Sequence, residues 1–350
     1  MIETSPLVYS AGVPCRELLQ QRANLYSQVR QFFKERAVLE VETPIFSQSG
    51  NTDPFITPIV ADFSCSASHG VGVNDDLESD SSESQDQHLR LGTNSGLRYA
   101  QTSPEFPMKR LLSNGSGAIF QICKVFRKEE KGCLHNPEFS MLEWYRPEMR
   151  YHQLMDEIEA LLKTLGISSA TERISYAELF QSHLKMDVLN ATIGDLQQCA
   201  KDNGLDVVGF DDDYDAWASM LLANLIEPSL GHDNPIFVYD YPSSQAALAR
   251  IRERDNVAER FELYISGVEI ANGYQELTDA NIYRKRFDLD NKKRKLLGKP
   301  EIKIDNRLID DLLSGFPDSS GVALGLDRLL MVMAGVKNID DVLSFHFENS

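Results

Sequence analysis

A chain of 350 residues, 42% hydrophobic and 25% charged, has the composition of a soluble globular protein and room for one large domain or two ordinary ones. Its formal net charge of −18 argues against a protein whose main task is gripping nucleic acid, because phosphate contacts ask for a basic stripe. No apolar run approaches the roughly 18 residues of a membrane span, and Met1–Ser10 lacks the basic start and apolar core of a secretory signal.

In chain order, Leu18, Leu25, Val29 and Phe32 recur at helical spacing and predict an amphipathic helix over 16–36. Val38–Val41 reads as a short strand ended by Thr43-Pro44. Residues 64–96 are rich in Ser, Asp, Glu, Gly and Gln, and read as an acidic, disordered insertion. They hold Cys65 and His69, too few ligands for a metal site. Ser103-Pro104-Glu105 reads as a helix start, with Ser as cap and Pro at the first position. Ala118–Phe126 and Glu138–Tyr145 read as strands, the second placing Phe139, Met141, Glu143 and Tyr145 on one face. Helices are expected over 151–165, 213–226 and 278–296, and strands over Ile236–Tyr241 and Phe261–Ile270. Ser320–Leu330 reads as a small-residue strand turning into an apolar helix. Antiparallel-looking strands with helices in blocks favour an α+β fold. The five cysteines, at 15, 65, 123, 133 and 199, form no CxxC pair, which points to reduced thiols and a cytoplasmic setting. The basic cluster Lys292-Lys293-Arg294-Lys295, after Arg284, Lys285 and Arg286, reads as a solvated helix face or a docking patch for an acidic partner.

The densest chemistry lies in Phe126-Arg127-Lys128-Glu129 and the run from His135 to Tyr145. A strand-end arginine offers a rigid fork to a phosphate or carboxylate. Taken alone, Arg127 reads first as half of a surface ion pair. With Glu129 and Phe139 nearby, an arginine and an aromatic can clamp a purine. An inward glutamate such as Glu143 is costly without a cation; that cation is either a protein Arg or Lys, or a ligand ammonium. Asn272, Tyr274 and Glu276 alternate onto one face, and two carboxylates with the Tyr145 hydroxyl suit a primary ammonium. Glu262 and Glu269 are seven apart, awkward for one strand face unless a bulge or turn at Ser266-Gly267 re-aims one. Facing inward together, they can hold Mg²⁺ with phosphate oxygens. Gly321, Ala323 and Gly325 bring the backbone close to something, whether a neighbouring helix or a ligand. No Walker A or Rossmann pattern occurs.

These segments resemble the three signature motifs of the class II aminoacyl-tRNA synthetases: Val41–Pro44 the first, Phe126–Tyr145 the second, and Gly321–Leu330 with Arg328 the third. Thr102–Glu105 with Lys109-Arg110-Leu111, His135–Phe139 and Asn272–Asp279 resemble the lysyl branch. Motif 1 begins within about 45 residues of Met1, leaving no room for an anticodon-reading domain in this single catalytic domain of residues 1–350. Glu130, Gly132, Met141–Pro147 and Ala323 resemble the truncated paralogues in this family, the elongation factor P–(R)-β-lysine ligases; full synthetases have glycine where Ala323 stands. The resemblance implies an antiparallel sheet flanked by helices, a homodimer, and ATP-dependent activation of (R)-β-lysine for transfer to a lysine of elongation factor P, with no tRNA. A minimal lysyl-tRNA synthetase or a non-catalytic regulator are the alternatives. It also implies roles. Arg127 and Arg328 are catalytic. Arg127, Lys128, Glu129, Asn136, Phe139, Glu269, Ile270, Gly325 and Arg328 bind ATP. Ser103, Pro104, Glu105, Glu143, Tyr145, Asn272, Tyr274, Glu276 and Ala323 bind the amino acid. Glu262 and Glu269 hold Mg²⁺.

Overall fold

A computed structural model describes residues 16–64, 96–167, 169–206, 209–210 and 213–350. Most of the acidic insertion, with Cys65 and His69, lies outside them. Helix α1 (Arg16–Glu35) buries the expected stripe plus Phe33. Short strands β1 (Leu39–Glu40), β2 (Phe46–Ser47), β3 (Val60–Asp62) and β4 (Leu97–Ala100) follow, then α2 (Glu105–Ser113), β5 (Ile119–Phe126), β6 (Glu138–Pro147) and α3 (Tyr151–Thr164). Next come β7 (Glu172–Ser175), α4 (Tyr176–Leu184), α5 (Ile193–Asp202), α6 (Tyr214–Leu221), β8 (Ile236–Pro242), β9 (Ile251–Arg252), β10 (Val257–Ile265) and β11 (Val268–Gln275). The chain closes with α7 (Ala280–Leu296), α8 (Asn306–Gly315), β12 (Ser319–Gly325) and α9 (Leu326–Ala334).

The large sheet runs β1-β5-β6-β12-β11-β10-β8-β7, with β9 on β10. Its pairings are antiparallel except β1 with β5 and β7 with β8, the α+β arrangement that blocks of helices between hairpins predict. Alternation sorts the strands' side chains onto two faces. Phe120, Leu142, Trp144, Phe261, Leu263, Val322 and Leu324 point to one face and pack with the buried sides of α1, α3 and α9. Met141, Glu143, Tyr145, Glu262, Asn272, Tyr274 and Ala323 point to the other and floor a cavity. One face is the core, and the other is left for chemistry.

Three expectations need correction. Phe261–Ile270 is a hairpin rather than one strand. Ser266 and Gly267 both take positive φ, 52° and 75°, the two-residue turn whose twist matches its strands. The pairing also slips between Leu263 and Tyr264, so that Leu263 faces Ala271 while Tyr264 faces Glu269. The turn at Ser266-Gly267 thus re-aims Glu269 toward Glu262, which faces Asn272 on the adjacent strand. Helix α2 starts at Glu105 with Pro104 in the cap position, so Ser103 is not the cap; its Oγ still accepts from the Glu105 amide at 3.0 Å. The helix over 213–226 ends its α-helical part at Leu221 and continues as a wider π turn, Leu222–Ile226.

The basic cluster on α7 is only partly a solvated face. Arg294 is 1% exposed and donates to the carbonyls of Asp53, Ile56 and Pro300. Arg286 donates to Ala247 and Ala249, and Lys293 pairs with Asp213 at 2.9 Å. Lys285, Lys292 and Lys295 remain exposed.

Candidate active site

The cavity is about 1260 Å³ and runs from the α2 end of the sheet to the β10–β11 hairpin. At the α2 end three carboxylates converge. Glu143 is buried on β6, and its oxygens accept from Tyr145 Oη at 2.6 Å and Ser103 Oγ at 2.7 Å. Neither donor is a cation. Burial, then the neighbouring charge of Glu105, pushes its carboxyl up to about 7. Glu276, just past β11, is completely buried. Its Oε2 lies 2.6 Å from Lys109 Nζ as an ion pair, and neither oxygen has a well-aligned hydrogen-bond partner among the described residues. Glu105, in the first turn of α2, takes the same ammonium at 2.5 Å. Glu276 thus meets a protein lysine, whereas Glu143 forms no ion pair among the described residues.

Gly321 explains how the pocket closes. A Cβ there would lie 2.4 Å from Glu276 Oε1 and 2.4 Å from Tyr145 Cε1, so only hydrogen lets strand β12 pass beneath both groups. Gly325 differs, because a Cβ would meet nothing nearer than 3.8 Å; its backbone borders open cavity beside Arg328 rather than a packed helix.

At the other end Arg127 and Arg328 face the same space. Arg127 Nη1 donates to Glu130 at 3.1 Å, and its guanidinium lies 5.1 Å from the Phe139 ring centroid. That is direct contact, so no base fits between Arg127 and Phe139 as the sequence suggested. Arg328 Nη1 donates to the Glu269 carbonyl at 2.9 Å and to its Oε2 at 3.2 Å, and Nη2 donates to His135 Nε2 at 2.6 Å. An arginine can only donate, so the imidazole accepts; burial and the Arg328 charge both lower its pKa. Glu262 is buried, with Arg260 Nη2 at 2.5 Å and the hydroxyls of Tyr241 and Tyr264 each at 2.6 Å. Burial and then Glu262 raise the Glu269 carboxyl.

Of the predicted residues, Ser103, Glu105, Arg127, Asn136, Phe139, Glu143, Tyr145, Glu262, Glu269, Ile270, Asn272, Tyr274, Glu276, Ala323, Gly325 and Arg328 all line this cavity. Pro104, Lys128 and Glu129 do not. Strand β5 ends at Phe126, so the alternation that placed Glu129 beside Arg127 stops before it reaches 129; its exposed carboxylate sits 3.4 Å from Lys299. Asn136 spends its amide on the Glu138 carbonyl and the Phe347 amide. Sequence reasoning gave no role to Lys109, His135 or Glu227. Lys109 had a signal, since Glu105 and Lys109 are four apart at a helix start. Glu227 had none: it opens the tight turn Glu227–Ser229 that follows the π turn and lines the cavity, where burial and Glu262 push its carboxyl up to about 7.

The family model for class II tRNA synthetases (D, K and N) matches residues 78–349. An elongation factor P–(R)-β-lysine ligase from Enterobacter sp. (strain 638) is 42% identical over 347 residues, covering 99% of this chain and 98% of that protein. A protein of the same name from Pectobacterium atrosepticum is 42% identical across the whole of both chains. The chain belongs to the class II tRNA synthetase family, in its elongation factor P–(R)-β-lysine ligase branch. A third member of that branch, from Salmonella arizonae, is also 42% identical over 99% of this chain. Membership accounts for the antiparallel sheet and its bare, cavity-forming face. No helix among the described residues is long and apolar enough to cross a membrane.

Proposed function

We propose that this chain joins (R)-β-lysine to a lysine side chain of elongation factor P, using ATP. The observation that carries the reading is the single cavity with buried carboxylates at one end and two guanidiniums at the other. A diamino acid is the molecule whose ammonium groups meet Glu105, Glu143 and Glu276 while its carboxylate extends toward Arg127. Its carboxylate oxygen attacks the α-phosphorus of ATP, and the bond from that phosphorus to pyrophosphate breaks. Arg127 steadies the α-phosphate and the incoming carboxylate, and Arg328 the terminal phosphate, so catalysis is alignment plus charge stabilisation. The neutral amine of the acceptor lysine then attacks the acyl carbon, AMP leaves with the C–O bond electrons, and the amine gives up a proton. Glu262 and Glu269, whose oxygens meet Arg260, Tyr241, Tyr264 and Arg328 here, would hold Mg²⁺ through their carboxylates, and the ion would neutralise phosphate charge. A homodimer is supported by exposed Leu39, Ile45, Phe46, Val60 and Phe63 around the first motif.

Mass spectrometry of elongation factor P after incubation with the protein, ATP and (R)-β-lysine tests the reading. The expected product is heavier by one β-lysyl group; an unmodified factor alongside charged total tRNA would overturn it. Glu276→Gln tests the pocket. We expect ATP–pyrophosphate exchange with (R)-β-lysine to fall by about a hundredfold or more, as for losing one partner of a buried charge pair, with ATP binding retained. Unchanged exchange would remove the cation-pocket assignment.

A further inference from the structure

Lys109 is the completely buried cation of the amino-acid pocket. Its ammonium has three acceptors at hydrogen-bond distance: Glu105 Oε1 at 2.5 Å, Glu276 Oε2 at 2.6 Å and the Tyr283 hydroxyl at 3.0 Å. Of its three N–H bonds, two are hydrogen-bonded, to Glu105 and Tyr283, and Glu276 Oε2 faces the ammonium as an ion pair. The groups facing it are those two carboxylates and the rings of Tyr283 and Tyr274, 5.4 and 5.8 Å from Nζ; Glu143 and the neutral Tyr145 hydroxyl complete the polar lining.

The formal charges can be counted. Fully ionised, Glu105, Glu143 and Glu276 supply three negatives and Lys109 one positive, leaving two negatives; in the empty pocket burial pushes the Glu143 and Glu276 carboxyls up to about 7 and about 8, so an arriving diammonium completes that ionisation. A diamino acid brings two ammonium groups. Glu276 is placed accordingly: Oε2 pairs with Lys109, and Oε1 is the atom turned toward Gly321 and Tyr145 at the cavity wall.

We propose that Lys109 is a built-in counter-ion, a positioning residue that sets the free charge of the pocket at two negatives and turns Glu105 and Glu276 toward the substrate's two ammonium groups. This rests on the diamino-acid reading above. A pocket with three carboxylates and no lysine would have to bind protons in its place, since buried like charges do not all ionise. A diammonium substrate would then have to displace those protons.

The test is Lys109→Met in the full chain, with KM for (R)-β-lysine measured by ATP–pyrophosphate exchange from pH 6 to 9.5 and ATP binding as the check on folding. We expect KM at pH 7 to rise about tenfold or more, with most of the loss in KM rather than kcat, and the pH above which KM becomes constant to move up by about one unit. A merely structural lysine would not move that pH. A folded variant with the wild-type KM and profile overturns the proposal. If the single variant does not bind ATP, Lys109→Met/Glu105→Gln removes one charge of each sign. Its profile is expected to level off at the wild-type pH, and a shifted profile in that double variant overturns the proposal. A wild-type protein giving no exchange with (R)-β-lysine defeats the pocket reading itself, before any variant is compared.

Discussion

Glu143 holds two hydrogen bonds from neutral hydroxyls and, among the described residues, no ion pair. Its carboxyl rises from the ordinary 4.5 to about 7. The sign for stability follows. Between those values the unfolded chain has lost a proton that the folded chain keeps. The contribution of this group to stability is therefore full below the ordinary value and is lost as pH rises through about 7. Binding runs the other way, because an ammonium needs the carboxylate. Below about pH 7, affinity for (R)-β-lysine should fall by up to about tenfold per pH unit, and binding should release protons. Calorimetry in two buffers of different ionisation enthalpy measures that release. No proton release near pH 6.5 would show that Glu143 does not meet the ammonium.

Strands β6, β11 and β12 carry the substrate end of the cavity because they are adjacent in the sheet. Register places Glu143 opposite Ala323, Tyr145 opposite Gly321, and Tyr274 opposite Gly321 on the other side. Gly321→Ala should therefore drive a methyl into Tyr145 and Glu276. Overpacking of this kind costs about 1–3 kcal/mol, and KM for the amino acid should rise by more than that for ATP. Equal effects on both would mean that the strand moves as a whole. The alternation of β6 and β11 was legible because a strand buried on one face and chemical on the other writes acids and aromatics at every second position, from Phe139 to Tyr145. The hairpin was only partly legible. Glu262 and Glu269 are seven positions apart, and a spacing alone does not say whether a bulge or a chain reversal resolves it. Lys128 and Glu129 fall outside the cavity lining for a similar reason, since nothing in Phe126–Glu129 marks where the strand stops. Helices α4, α5 and α8 went unread: they are short, and their stripes emerge only against their packing partners, as with Leu308, Ile309 and Leu312 on α8.

The molecule as a whole carries a net charge of −18, which opposes self-association at low salt. A homodimer therefore has to be held by apolar contact. Leu39, Ile45, Phe46, Val60 and Phe63 are exposed on neighbouring short strands, with the Phe46 and Phe63 rings 5.4 Å apart. Phe46→Glu with Phe63→Glu should shift sedimentation from dimer to monomer and leave the monomer's thermal unfolding little changed. A wild-type protein that sediments as a monomer would refute the dimer. Strands β3 and β4 on this side also bracket the acidic insertion. Their ends are clasped, Phe63 N donating to Gly96 O at 2.8 Å, and Val60 to Asp62 pairs residue by residue with Tyr99 to Leu97. Closing a chain segment between fixed ends costs free energy that grows only logarithmically with its length. This junction is accordingly a natural splice point, where evolution or an engineer can lengthen, shorten or swap the intervening peptide, or graft a fluorophore, without disturbing the lysine pocket.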